Sequence, residues 1–155
     1  MTVQLRDLLP AGAVIPHLEA GSKKQTIKKL SGFAAALCPL SEKEIFSALM
    51  EREEVGCTGM GNGVCIPHGR FTGLKEILIV FARLDAPINF GAADGKDVDL
   101  IFLLLTPLTA DTEHLKALAM ISKILRDKKL CAQLRAASSA EDIYALITAD
   151  SSAAV

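Results

Sequence analysis

The chain is 155 residues long, with 50% of them hydrophobic, 23% charged and a net charge of −1. It is long enough to bury the core of one globular domain, and too nearly neutral for bulk attraction to nucleic acid or an anionic membrane, so any basic site has to be local. The longest apolar runs, Ile77–Ala82 and Leu100–Leu105, are far too short to insert across a bilayer. The N-terminus carries Arg6 and Pro10 and lacks an apolar signal segment. Cys38, Cys57, Cys65 and Cys131 are irregularly spaced and read as reduced thiols of a cytoplasmic protein.

Taken in order, Leu5, Leu8 and Leu9 suggest a helical turn, followed by a short strand at Ala13-Val14-Ile15-Pro16. His17 reads as a surface or edge histidine. Ser22 opens a helix in which Ile27, Leu30, Phe33, Ala34 and Leu37 recur at helical spacing, and Pro39 stops it. Lys23, Lys24, Lys28 and Lys29 fit a solvated face of that helix better than a docking patch. Ser41-Glu42-Lys43-Glu44 is a capping box, and the helix it starts buries Ile45, Phe46, Leu49 and Met50 before running out at Arg52-Glu53-Glu54. Ile77–Ala82 is an apolar run rich in β-branched residues, as suits a strand buried on both faces. Turns are predicted at Ala86-Pro87 and Gly91–Asp94, and a second buried strand at Asp97–Leu105, ended by Pro107. Asp111 or Thr112 then caps a helix carrying His114, Leu115, Leu118, Ile121 and Leu125. Short helices follow around Leu130–Leu134 and Ala140–Ile147, with a frayed end over 149–155. There is no internal repeat and no linker. The expected fold is therefore an α/β, three-layer-like sandwich, a mixed central β-sheet with helices on both faces. It forms a single domain over 1–155, with an ordered core over about 3–148.

Between the second long helix and the first long strand lies Arg52 to Arg70, which holds five of the eleven glycines and ends in Pro67-His68-Gly69-Arg70. Four chemistries compete for it. A nucleotide loop is disfavoured, because no Gly-Lys-Ser/Thr ending and no dinucleotide fingerprint is present. A metal site built from Cys57, Cys65, His68 and perhaps His114 lacks the paired ligand spacing of structural zinc. A Cys57 nucleophile with His68 as base leaves Pro67 and the glycines without a purpose. Phosphoryl transfer through His68 uses them all: neutral imidazole is a good nucleophile, and the reaction needs mainly positioning and stabilisation of negative charge. Backbone N–H groups of the glycines, such as Gly59 and Gly61, the Thr58 hydroxyl, and Arg52 or Arg70 are the candidate phosphate-binding groups. His114 is either a second donor at this site or an exposed helix residue. No cofactor is called for.

The run Thr58-Gly59-x-Gly61-x-Gly63-x-x-x-Pro67-His68-Gly69 resembles the enzyme IIA components of the bacterial phosphoenolpyruvate-dependent phosphotransferase system. The likeness is to the fructose and mannitol type, and within it to the nitrogen-regulatory proteins. It extends through Ser22-Lys23-Lys24, Arg52-Glu53, Leu84–Ile88, Val98-Asp99-Leu100 and His114-Leu115. The resemblance implies an α/β sandwich with a mixed sheet and a phosphohistidine carrier with His68 as acceptor, modified at Nε2. It makes Arg52 and His114 active-site residues, with a phosphocarrier of the HPr type as donor. It implies a regulatory role towards targets such as potassium transporters or sensor kinases, with no nucleic-acid partner. The alternatives are a sugar-specific IIA component passing phosphate to a IIB protein, and a metal-binding or interaction adaptor using Cys57, Cys65 and His68. Cys57 and Cys65 depart from the serine and small aliphatic residue of the family pattern.

Overall fold

A computed structural model describes residues 4–149. The elements in chain order are α1 (Leu5–Leu8), β1 (Val14–Leu18), α2 (Lys23–Ala35), α3 (Glu42–Val55), β2 (Gly59–Gly61), β3 (Val64–Cys65), β4 (His68–Phe71), β5 (Leu78–Ile88), β6 (Val98–Pro107), α4 (Asp111–Arg126), α5 (Lys128–Ala136) and α6 (Ala140–Ala149). The strands make one mixed sheet in the order β1-β5-β6-β3-β2, with β4 also paired to β6. β5 and β6 are antiparallel, whereas β1 runs parallel to β5, and β3 and β4 run parallel to β6.

Side chains alternate between the two faces of a strand, yet Leu78 to Ala82 and Leu100 to Pro107 are buried without interruption. Both faces of the sheet are therefore covered, as the apolar runs foretold. The helices gather in two groups: α2 packs on α3, which reaches β4, while α4, α5 and α6 pack in succession and touch β6 and β1. Phe81 and Phe102 meet edge to face at 5.0 Å between ring centroids in the middle of the core.

Local chemistry sets the helix starts. The Ser22 side chain accepts from the Gln25 backbone N–H, and Ser41 with Glu44 forms the expected reciprocal box. Elsewhere four expectations are corrected. α2 ends at Ala35, short of Pro39, and leaves Leu37 40% exposed. Ala86-Pro87 is no turn. It lies inside β5, where the register with β6 shifts between Arg83 and Ile88, a place where a missing N–H is tolerated. α4 takes no side-chain cap: Ala110 is its N-cap, and Asp111 is its first helical residue. Its buried face runs through His114, Ala117, Met120, Ile121, Ile124 and Leu125, with Leu115 67% exposed. The end expected to fray falls, apart from Ala149 in α6, outside the described residues.

β3 and β4 lie end to end along one edge of β6, pairing with Leu100 to Ile101 and with Leu104 to Pro107. Ile66 and Pro67 join them, and the Pro67 carbonyl accepts from Leu104 N–H at 3.0 Å. His68 is thereby set opposite Leu104, close to the point where β6 ends and feeds α4.

Candidate active site

His68 opens β4 and is half-buried. Its Nδ1 lies 2.8 Å from the Ile66 carbonyl oxygen. A carbonyl only accepts, so Nδ1 carries the proton and Nε2 presents a lone pair. Arg52, in the last turn of α3, donates from Nε to that Nε2 at 3.2 Å, and its Nη1 donates to the Gly56 carbonyl at 2.9 Å. The ring thus has a fixed tautomer and a guanidinium aimed at its basic nitrogen.

His114, in the first turn of α4, is turned inwards. It is 7% exposed, and its Nδ1 lies 2.7 Å from the Thr106 hydroxyl at the end of β6. The two imidazoles are 5.6 Å apart between centroids. Burial pushes the His68 pKa below its ordinary value, and the Arg52 charge adds to this against the opposing pull of the Ile66 carbonyl. Burial lowers His114 too, helped by His68 and by Arg70. Near neutral pH both rings are held in the uncharged form, in which an imidazole can act as a nucleophile.

The other candidate groups are dispersed. Arg70, two residues along β4 and so on the His68 face, binds the Leu108 carbonyl and the Asp111 carboxylate, fastening the start of α4 to the strand. The Thr58 hydroxyl donates to the carboxylate of Glu53, and the Thr58 N–H approaches the same carboxylate at 3.3 Å. Gly59 N–H donates to the Cys57 sulfur at 3.2 Å, and a Cβ there would lie 3.1 Å from Ala92 Cβ. Gly61, Asn62 and Gly63 have φ of 86°, 57° and 83° and form the turn of the β2–β3 hairpin. Gly61 faces the Asp94 carboxylate, which also accepts from Asn62 N–H at 2.9 Å. An anionic neighbour makes this tip a poor place for phosphate, and the glycines at 61 and 63 answer to the turn.

Sequence reasoning assigned no role to Glu53 or Thr106 and sent Lys23 to solvent. Lys23 Nζ sits 2.8 Å from Glu53 Oε1, whose side chain is only 4% exposed, and also donates to the Phe90 carbonyl at 3.1 Å. The one available signal was the position of Glu53 directly after Arg52.

The cysteines that the alternatives rely on sit in different surroundings. Cys65 lies in β3 between β2 and β6 at 0% exposure, and burial pushes its thiol pKa well up, so it is an inert core residue. Cys57 donates to the Phe90 carbonyl at 3.2 Å. Among the described residues no three of His, Cys, Asp and Glu converge as a metal ion requires. Among the same residues no helix is long and apolar enough to cross a membrane. His17 is the expected exposed histidine of an edge strand, 3.0 Å from Asp85.

Comparison with known proteins agrees with the fold. The family model described as "Phosphoenolpyruvate-dependent sugar phosphotransferase system, EIIA 2" matches residues 7–150. A nitrogen regulatory protein of Bradyrhizobium diazoefficiens is 45% identical over 143 residues, covering 92% of this chain and 94% of the relative. One from Escherichia coli is 39% identical over 151 residues, covering 95% and 91%. The crystal structure of nitrogen regulatory protein IIA-Ntr from Neisseria meningitidis superposes with a TM-score of 0.88 at 38% identity, covering 92% of this chain and 97% of that one.

Proposed function

The chain belongs to the type 2 enzyme IIA family of the phosphoenolpyruvate-dependent phosphotransferase system, and from that premise we propose that it is a phosphohistidine carrier of the cytoplasm whose acceptor is His68 Nε2. The observation that carries this reading is the pairing at one ring: Nδ1–H is held by the Ile66 carbonyl while Nε2 faces Arg52.

The transfer follows from that geometry. The Nε2 lone pair attacks phosphorus on a phosphorylated donor of the HPr type. The donor's nitrogen–phosphorus bond breaks, and its electron pair returns to the donor ring. No proton has to move, because Nδ1 keeps its hydrogen and the Ile66 carbonyl stabilises the positive charge that grows on the ring. Arg52 gives up its bond to Nε2 and turns its donors to the phosphoryl oxygens, anchored meanwhile through Gly56. In this reading the Thr106 hydroxyl, 2.7 Å from His114 Nδ1, is the donor of that contact, so that His114 carries its proton on Nε2 and acts as a neutral donor to the same oxygens. Arg70 supplies positive potential from its clamp at Asp111.

The regulatory use is favoured over the sugar-specific one because the relatives 38–45% identical that match over nearly their whole length carry the name nitrogen regulatory protein. In this reading the phosphoryl charge at a half-buried strand end changes which proteins dock, targets such as potassium transporters or sensor kinases among them. The test is intact-protein mass after incubation with phosphoenolpyruvate, the first enzyme of the system and an HPr-type carrier. One added phosphoryl group, acid-labile, base-stable and missing from His68→Ala, is the expected result. A phosphoryl group that persists on a histidine of His68→Ala overturns the assignment.

A further inference from the structure

The carrier reading asks His114 to present a proton, and the surroundings of that ring account for where the proton sits. In the parallel pairing of β4 with β6, His68 stands opposite Leu104 and Arg70 opposite Thr106. Residues two apart share a face of a strand, so His68, Arg70 and Thr106 lie on one side of the sheet. The first turn of α4 brings His114 back to that side, with Nδ1 2.7 Å from the Thr106 hydroxyl. Thr106 is 0% exposed, and among the described residues its hydroxyl makes no other hydrogen bond.

A hydroxyl can donate or accept, and so can an imidazole nitrogen, but the two assignments differ in cost. If Nδ1–H were the donor, the Thr106 O–H would find no acceptor and would bear the penalty of a buried, unpaired group. With the hydroxyl as donor both atoms are satisfied. Nδ1 then holds the lone pair and Nε2 the proton. Among the described residues every fully buried side-chain nitrogen and oxygen has a partner. His114 Nε2 has none there, so the 7% of this residue that is exposed includes that atom. His68 is the reverse case: the Ile66 carbonyl only accepts, which keeps its proton on Nδ1.

We propose that Thr106 is a positioning residue for phosphoryl transfer: by donating to His114 Nδ1 it holds the His114 proton on Nε2, so that the two facing rings carry opposite tautomers and His68 is the one that offers a nucleophilic nitrogen. The inference rests on the carrier reading and deepens it, by naming what selects one of two neighbouring histidines as the acceptor. Their rings are 5.6 Å apart between centroids, and a neutral imidazole attacks only through a free lone pair. On His114 that lone pair is taken by Thr106. The bond that forms joins His68 Nε2 to phosphorus, and the bond that breaks is the donor's nitrogen–phosphorus bond. His114 Nε2–H donates to a phosphoryl oxygen and keeps its proton throughout. Thr106 touches no reacting atom and acts through His114.

The first test is the nitrogen NMR spectrum of the His114 ring in the unphosphorylated parent protein near neutral pH. Nε2 is expected to show the shift of a protonated nitrogen, and Nδ1 that of a hydrogen-bonded lone pair. A proton on Nδ1 overturns the proposal. The second test is rapid-quench transfer from a phosphorylated HPr-type carrier to two variants. Thr106→Val keeps the shape and removes the hydroxyl, whereas Thr106→Ser keeps the hydroxyl and removes a methyl. In Thr106→Val the maximal rate is expected to fall about tenfold, less than for outright loss of a donor, with the half-saturating donor concentration unchanged. In Thr106→Ser the rate is expected to return close to the parent's. A role in packing alone predicts the opposite order, Thr106→Val near the parent and Thr106→Ser slower, and that order sinks the idea. In a His114→Ala background Thr106→Val is expected to add no further loss. A further loss there means that Thr106 does not act through His114, and the proposal fails. If the parent protein accepts no phosphate, the carrier reading itself falls and this role with it, whatever tautomer the spectrum gives.

Discussion

In the proposed carrier role His68 accepts only while its ring is uncharged, and the surroundings that keep it so are specific groups. Burial and the Arg52 charge both lower its pKa below the ordinary 6.5. The rate of phosphoryl acceptance is therefore expected to stay level as pH falls through 6.5 and to drop only at lower pH. Rapid-quench kinetics measure this directly, and an acid limb centred above 6.5 would contradict the assigned electrostatics. Arg52→Met separates two effects of one side chain. Losing the positive charge raises the His68 pKa and moves the acid limb to higher pH. Losing the donor to the phosphoryl oxygens lowers the plateau by about 100-fold, the usual scale for one preorganised donor. A plateau equal to the parent's would remove Arg52 from the site. His114→Ala is expected to slow transfer without abolishing it, because the proposed acceptor nitrogen belongs to His68. The proposed acceptor stood out in the sequence because Pro67-His68-Gly69 and the glycines that lead to it are contiguous. The roles of Thr58, Lys23 and Glu53 could not. The Thr58 hydroxyl is occupied by Glu53, and Lys23 is drawn inwards by partners 30 and 67 residues away. A pattern of charge along one helix carries no information about either contact.

Among the elements, the β2–β3 hairpin illustrates how one motif can serve two masters. Its glycines suggest a phosphate cradle, but their dihedral angles describe a tight turn. At Gly63 both constraints act together: φ is 83°, and a Cβ would stand 2.8 Å from an Arg135 guanidinium nitrogen and 3.0 Å from Asp99 Oδ1. Arg135 pairs with Asp99 through two bonds and donates to the Asn62 carbonyl at 2.8 Å, pinning the tip to α5. Gly63→Ala is expected to cost about 1–2 kcal/mol from the left-handed backbone alone, with more from displacing Arg135. Urea denaturation measures it, and an unchanged midpoint would show that the tip is free to relax. The caps at Ser22 and Ser41 were legible because a cap is a contact within four residues. The burial of β5 and β6 was legible because an unbroken apolar run has few other places to go. Two features were not. The exposed face of α4 follows from Thr106 turning His114 inwards, which leaves Leu115 outside. The passage of β5 through Pro87 follows from a register shift that only the neighbouring strand reveals.

In the whole molecule, β6 is the common neighbour. It pairs with β5 on one edge and with β3 and β4 on the other, and all but one of its residues are buried. A helical group that lost contact with this sheet would uncover apolar surface on it, so the two groups should not unfold separately. We expect one cooperative transition, as a single domain requires. Far-UV dichroism and the fluorescence of Tyr144, the lone tyrosine, which lies in α6, should report the same urea midpoint. Two separated midpoints would divide the chain into independently folding parts. The same experiment at several pH values tests the site against the fold. His68 and His114 both have folded pKa values below the ordinary 6.5, so the unfolded chain binds more protons than the native one between the two values. Their uncharged burial therefore contributes fully above about pH 6.5. That contribution shrinks as pH falls towards the depressed values, and below them this source of pH dependence is exhausted. The urea midpoint should fall between pH 7 and pH 5, and the fall should be smaller in His68→Gln combined with His114→Gln, which has no imidazole to charge at either place. If the double variant loses as much stability on acidification as the parent, the acid sensitivity comes from carboxylates elsewhere, and the two rings are not held neutral at the expense of the fold.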